Sequence, residues 1–200
     1  MTHGIVCIGT SHGGLTALQQ LLPALPKDFA APVCIVQHRS RDTDYGLCEY
    51  LQRRCQLKIR EPNDKEQIMP GIVYLAPRDY HLLVERGEFA LSVEAPVTYA
   101  RPSIDVLFES AADAYRDQAV GVILTGANAD GAHGLAKIKD RGGVCVVQEP
   151  AEADADQMPQ AAIEAVTAER VDYILPLADI AGCLLRLCAV TGLQQGSRAG

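Results

Sequence analysis

Apolar residues in this chain collect in short unbroken runs, and the stretches between the runs carry them at helical spacing. Ile5-Val6-Cys7-Ile8, Pro32-Val33-Cys34-Ile35-Val36-Gln37-His38, Ile72-Val73-Tyr74-Leu75-Ala76-Pro77 and Ala119-Val120-Gly121-Val122-Ile123-Leu124 read as strands. So do Val144-Cys145-Val146-Val147, the short Tyr173-Ile174-Leu175 and a weaker stretch over 57–60. A run that is apolar at every position has no polar face to turn to water, so these strands predict a parallel sheet covered on both sides. Helical spacing is carried by 15–22, 42–54, 132–140, 158–168 and 177–190. It is also carried by the stretch after Ser103, where Ile104, Leu107, Phe108 and Ala111 form one stripe and Ser103 is the natural N-cap. Residues 80–84 and 89–93 flank Glu85-Arg86-Gly87-Glu88 and predict a β-hairpin outside the strand–helix rhythm. The pattern contains no repeat and no linker. It predicts an α/β domain over residues 1–192, a three-layer αβα doubly wound, mostly parallel sheet with an inserted β-hairpin, followed by a frayed polar tail at 193–200.

Composition narrows the partners. The chain has 200 residues and a net charge of −7, which speaks against nucleic acid or an anionic membrane surface as partner, since both call for a basic face. No apolar run approaches the roughly 20 residues that span a bilayer, and the first residues lack the pattern of a signal peptide. Seven cysteines without a C-x-x-C pair, three of them (Cys7, Cys34 and Cys145) inside strand-like runs, predict reduced, buried thiols in a cytoplasmic protein and no structural zinc.

The chemistry is concentrated where strands end. Gly9-Thr10-Ser11-His12-Gly13 stands between the first strand and the first helix, the setting in which a G-x-S-x-G turn presents a nucleophilic serine. The competing reading is a glycine loop that cradles a phosphate, although the G-x-G-x-x-G fingerprint and a Walker lysine are both absent. A serine hydroxyl needs an imidazole to take its proton and a carboxylate to orient that imidazole. Of His3, His12, His38, His81 and His133, only His38 ends a buried strand that could lie beside the first; His81 reads as a surface residue at the start of the hairpin. A histidine merely satisfied at a strand end remains open for His38. Asp130, in the glycine-rich loop after the strongest strand, leads Asp79 and Asp105 as the acid, with turn and capping roles open for each. An ordinary α/β-hydrolase places the acid before the histidine; here the histidine comes first, which disfavours that class.

Several separated segments, in order, resemble the catalytic domain of the CheB-type chemotaxis protein-glutamate methylesterases. They are Gly9-Thr10-Ser11-His12-Gly13-Gly14, Gln37-His38, Pro70-Gly71-Ile72-Val73-Tyr74-Leu75-Ala76-Pro77, Arg101-Pro102-Ser103-Ile104-Asp105-Val106-Leu107-Phe108, Val122-Ile123-Leu124-Thr125-Gly126 with Asp130-Gly131, and Met158-Pro159. The resemblance implies a cytoplasmic serine hydrolase without metal or cofactor, with Ser11 as nucleophile, His38 as base and Asp130 as its orienting acid. It implies glutamate γ-methyl esters on the helices of methyl-accepting receptors as substrate, with glutamine deamidation as a companion reaction. Backbone N–H groups near His12 and at Gly126 and Ala127 become candidates for the oxyanion site. Arg101 becomes a candidate for gripping a substrate carboxylate, its alternative being a structural arginine paired with an acidic neighbour.

The departures from the family pattern are specific. His12 stands where a threonine is usual, adding an imidazole that could alter specificity or hold a metal. Ala127 and Asn128 replace the methionine and glycine of T-G-M-G-x-D-G, and Asp156-Gln157 replaces the phenylalanine-glycine before Met158-Pro159. The receiver domain that usually precedes this domain is not in the sequence, so regulation would come from a separate response-regulator partner. The alternative in another class is a catalytically weak CheB-like domain that binds a partner or an anion.

Overall fold

The apolar run that opens the chain becomes the centre of the sheet. The computed structural model describes residues 4–38 and 46–189; His3, the first part of the helix expected at 42–54 and the expected tail lie outside the described residues. In chain order the strands are β1 (Ile5–Thr10), β2 (Val33–Gln37), β3 (Lys58–Arg60), β4 (Ile72–Leu75), β5 (His81–Val84), β6 (Phe89–Ser92), β7 (Ala119–Ile123), β8 (Val144–Gln148) and β9 (Tyr173–Leu175). The helices are α1 (Gly14–Leu21), α2 (Leu47–Gln52), α3 (Ile104–Tyr115), α4 (Ala132–Asp140), α5 (Gln157–Val166) and α6 (Leu177–Cys188).

Seven strands form one parallel sheet in the order β3-β4-β2-β1-β7-β8-β9. Along β1, Val6 and Ile8 enter one core with Leu18 and Leu21 of α1, Leu51 of α2 and Leu184 of α6. Ile5 and Cys7 enter the other, with Phe108 of α3, Leu135 of α4 and Met158 of α5. That two-sided burial is why the strand sequences are apolar throughout rather than alternating. The fold is the three-layer αβα arrangement expected.

Boundaries move in both directions: β1 and β8 run further than their apolar stretches, to Thr10 and Gln148, whereas β2, β4 and β7 are shorter than expected. β4 ends at Leu75 because Pro77 can offer no further N–H to the ladder, although the Ala76 N–H still donates to the Ile35 carbonyl at 2.8 Å. The pair β5–β6 forms its own antiparallel sheet and packs on α3, where the Val84 N–H donates to Ser110 Oγ. That packing corrects the reading of His81: it is 2% exposed, not a surface residue.

The chain lays β2 and then β4 on one side of β1, and returns to lay β7, β8 and β9 on the other. Strand order therefore reverses at β1, and in such sheets ligands sit beyond the carboxyl ends of the strands at the reversal. The residues that follow β1, β2 and β7 are Ser11, His38 and the loop carrying Asn128 and Asp130.

Candidate active site

The turn after β1 is held by its neighbours on both sides. The Ser11 N–H and the Thr10 hydroxyl both donate to the Thr125 carbonyl, at 3.0 and 2.8 Å. The Gly14 N–H donates to the Ser11 carbonyl at 3.0 Å, and Gly13 takes a φ of 77°, a left-handed conformation that disfavours any side chain. From β2, Gln37 Nε2 donates to the carbonyls of Ser11 and His38, at 2.8 Å each. The His38 N–H donates to the Thr10 carbonyl at 3.0 Å. One buried glutamine thus ties the serine turn to the histidine turn, a role that sequence spacing did not single out.

Asp130 is 0% exposed, and its carboxylate accepts four donors. Oδ2 takes His38 Nε2 at 2.8 Å and the Ile104 N–H at 2.7 Å. Oδ1 takes the Ser103 hydroxyl at 2.8 Å and the Asp105 N–H at 3.0 Å. Ile104 and Asp105 are the first residues of α3, so Asp130 caps this helix from another loop. This corrects the expected capping by Ser103: the serine occupies the N-cap position, but its hydroxyl goes to Asp130 and caps nothing. Burial alone would push the Asp130 carboxyl up, but the bonds from His38, Ile104 and Asp105 outweigh it and hold the group below its ordinary range. Asp105 does for α4 what Asp130 does for α3, accepting the Gly134 N–H at 2.8 Å. Its pKa is raised to about 6, mainly by burial; the Gly134 bond opposes this and the Asp130 charge adds to it.

Ser11 and His38 line one open cleft of about 370 Å³ together with Asn128, Arg101 and Tyr99. Its outer wall is a tight turn closed by reciprocal bonds between Val97 and Ala100, in which Thr98 and Tyr99 both have left-handed backbones. Nothing in a glycine-free Thr-Tyr pair announces such a turn. Asn128 lies against the histidine, with Nδ2 at 3.2 Å from His38 Nδ1, while its Oδ1 accepts the Asp130 N–H at 3.0 Å.

The remaining candidates separate. Arg101 points Nη1 at the carbonyls of Val93 and Glu94, at 2.8 and 3.0 Å. Among the described residues it is anchored to backbone rather than to an acidic side chain, at the edge of the cleft. The Gly126 N–H donates to the Ala155 carbonyl, so it is not a free oxyanion donor as expected. Glycine is required there for space instead, since a Cβ would lie 2.7 Å from the Met158 thioether and 3.0 Å from Ser11 Cβ. The N–H groups of His12 and Ala127 have no hydrogen-bond partner among the described residues. The His12 side chain is exposed and outside the cleft lining. Among the described residues no three His, Cys, Asp or Glu side chains are grouped closely enough to hold a metal ion, and no helix is long and apolar enough to cross a membrane.

Comparison with known proteins gives one family. The family model described as CheB methylesterase matches residues 6–184. A Leptospira interrogans protein, named provisionally as a protein-glutamate methylesterase/protein-glutamine glutaminase, is 47% identical over 188 residues, covering 94% of this chain and 96% of its own length. The protein-glutamate methylesterase/protein-glutamine glutaminase of Archaeoglobus fulgidus is 36% identical over 189 residues, covering 92% of this chain, which spans 53% of that longer relative. The crystal structure of the Thermotoga maritima CheB methylesterase catalytic domain superposes with a TM-score of 0.86 at 34% identity, covering 94% of this chain and 100% of that one. With the doubly wound sheet and its strand-end cleft, these similarities establish that the chain belongs to the CheB methylesterase family.

Proposed function

We propose that the chain is a protein-glutamate methylesterase that works through Ser11, His38 and Asp130, and that it also hydrolyses the corresponding glutamine amide. The observation that carries this reading is the 2.8 Å bond between His38 and the buried Asp130 carboxylate, made at the edge of the cleft that Ser11 lines. A carboxylate can only accept, so the bond places the imidazole proton on Nε2 and leaves the Nδ1 lone pair as the base. Ser11 Oγ attacks the ester carbonyl while Nδ1 takes its proton, and Asp130 stabilises the imidazolium that forms. The tetrahedral intermediate expels methoxide, which leaves as methanol with the proton from His38. Water then attacks the glutamyl–Ser11 ester, His38 taking and returning a proton, and glutamate and free Ser11 result.

The N–H groups of His12 and Ala127, without partners among the described residues, are the donors best suited to the oxyanion, and one such donor is commonly worth on the order of 10²–10³ in rate. Arg101, anchored at the cleft edge, supplies a positive charge for acidic residues beside the methylated glutamate. The substrate class is a methyl ester exposed on a receptor helix, since the cleft is open and takes a side chain from outside. The test is release of methanol from a methylated receptor segment. The reading predicts release that is abolished in Ser11→Ala; release that survives that substitution contradicts it.

A further inference from the structure

The acceptor nitrogen of His38 is not free. Asp130 accepts at Nε2, so Nδ1 is the lone pair, and Asn128 Nδ2 lies 3.2 Å from it. The orientation of the Asn128 amide follows from its other contact. The Asp130 backbone N–H is only a donor, so the atom facing it at 3.0 Å is the amide oxygen. The NH₂ group is thereby turned to His38 as a donor. Two backbone-anchored constraints thus converge: Asp130 sets the tautomer, and the loop that carries Asp130 aims a donor at the remaining lone pair.

We propose that Asn128 is a resting-state stopper on the base: its side-chain amide occupies the His38 Nδ1 lone pair, and the Ser11 hydroxyl must displace it for attack. After proton transfer Nδ1 carries a hydrogen and cannot accept from Asn128, so the amide has to swing aside whenever the imidazolium forms. Asn128 lines the cleft beside Ser11, so an entering substrate meets it directly. The consequence for rate rests on the reading of Ser11 as nucleophile; the hydrogen bond itself does not.

Serine at position 128 separates the two functions of the asparagine. Its hydroxyl can still accept the N–H two residues on, as serine does in turns, but it is too short to reach His38. Long-range proton–nitrogen NMR of histidine-labelled protein then reads the bond without any turnover. In Ser11→Ala, the His38 Nδ1 resonance carries the displacement of a hydrogen-bonded acceptor. In Ser11→Ala with Asn128→Ser, it moves towards that of an unpaired nitrogen. A resonance that is the same in both variants overturns the proposal. Labelling with a fluorophosphonate reads the consequence: with one net hydrogen bond no longer to be broken, Asn128→Ser reacts about fivefold faster than wild type. A rate equal to or below wild type overturns the stopper role. Wild type that never labels contradicts the proposed function instead, and the NMR comparison still decides whether Asn128 holds His38.

Discussion

Asp130 accepts the N–H of Ile104 at 2.7 Å and so caps a helix whose sequence begins 26 residues earlier. The same Oδ2 holds His38. The positive end of α3 and the imidazole are therefore stabilised by one charge, and stability and activity depend on it together.

Asp130→Asn is nearly isosteric but removes the charge and, in either orientation, turns an amide NH₂ towards a backbone N–H that can only donate, that of Ile104 or of Asp105. Urea unfolding is expected to show a loss of about 2–3 kcal/mol, the scale of hydrogen bonds to a charged acceptor. Ester hydrolysis is expected to fall by about 10⁴, as when a triad aspartate is replaced by asparagine. Full stability with normal turnover contradicts the capping role and the orienting role at once.

The two buried carboxylates give opposite pH signatures. Asp130 lies below its ordinary range, so its contribution is present at neutral pH and is lost on acidification through that lowered pKa. Asp105 is raised from 3.8 to about 6, so the native state binds its proton more tightly than the unfolded chain, and stability falls as pH rises through about 6. An asparagine in its place would keep the Gly134 bond without titrating. Urea midpoints of Asp105→Asn are expected to gain on wild type as pH goes from about 4 to 7; a difference that does not vary with pH contradicts this account.

Gly126→Ala tests the packing behind the serine. The added Cβ would meet the flexible Met158 thioether at 2.7 Å and the firmer Ser11 Cβ at 3.0 Å. Met158 can move, so a stability loss of about 1–3 kcal/mol is expected from overpacking. The displaced serine is expected to lower kcat more than it raises KM. Unchanged kcat would show that Ser11 tolerates the shift.

What was legible in the chain follows from which forces are local. Strands β2 and β7 are buried at every position, and the unbroken apolar runs at 33–36 and 119–124 announced the covered parallel sheet. Ser11, His38 and Asp130 each follow a strand, which made them readable as candidates before their strands could be ordered. Features set by packing were not readable. His81 is buried because the hairpin folds onto α3, and its Nδ1 accepts the Ser103 N–H at 3.2 Å. Ser103 occupies a capping position, yet its hydroxyl goes to a charge 27 residues later, outside the reach of any local rule. The Gly126 N–H is taken by Ala155 across a loop contact. Asn128 was visible as a departure from the family loop, but its hold on His38 depends on the Asp130 N–H turning its amide.

Ser11 as an activated nucleophile is the central claim, and fluorophosphonate labelling tests it most directly. Wild type is expected to be modified stoichiometrically at Ser11, with labelling lost in Ser11→Ala and strongly reduced in His38→Ala. Absence of labelling in the wild type, or modification that persists in Ser11→Ala, contradicts the account.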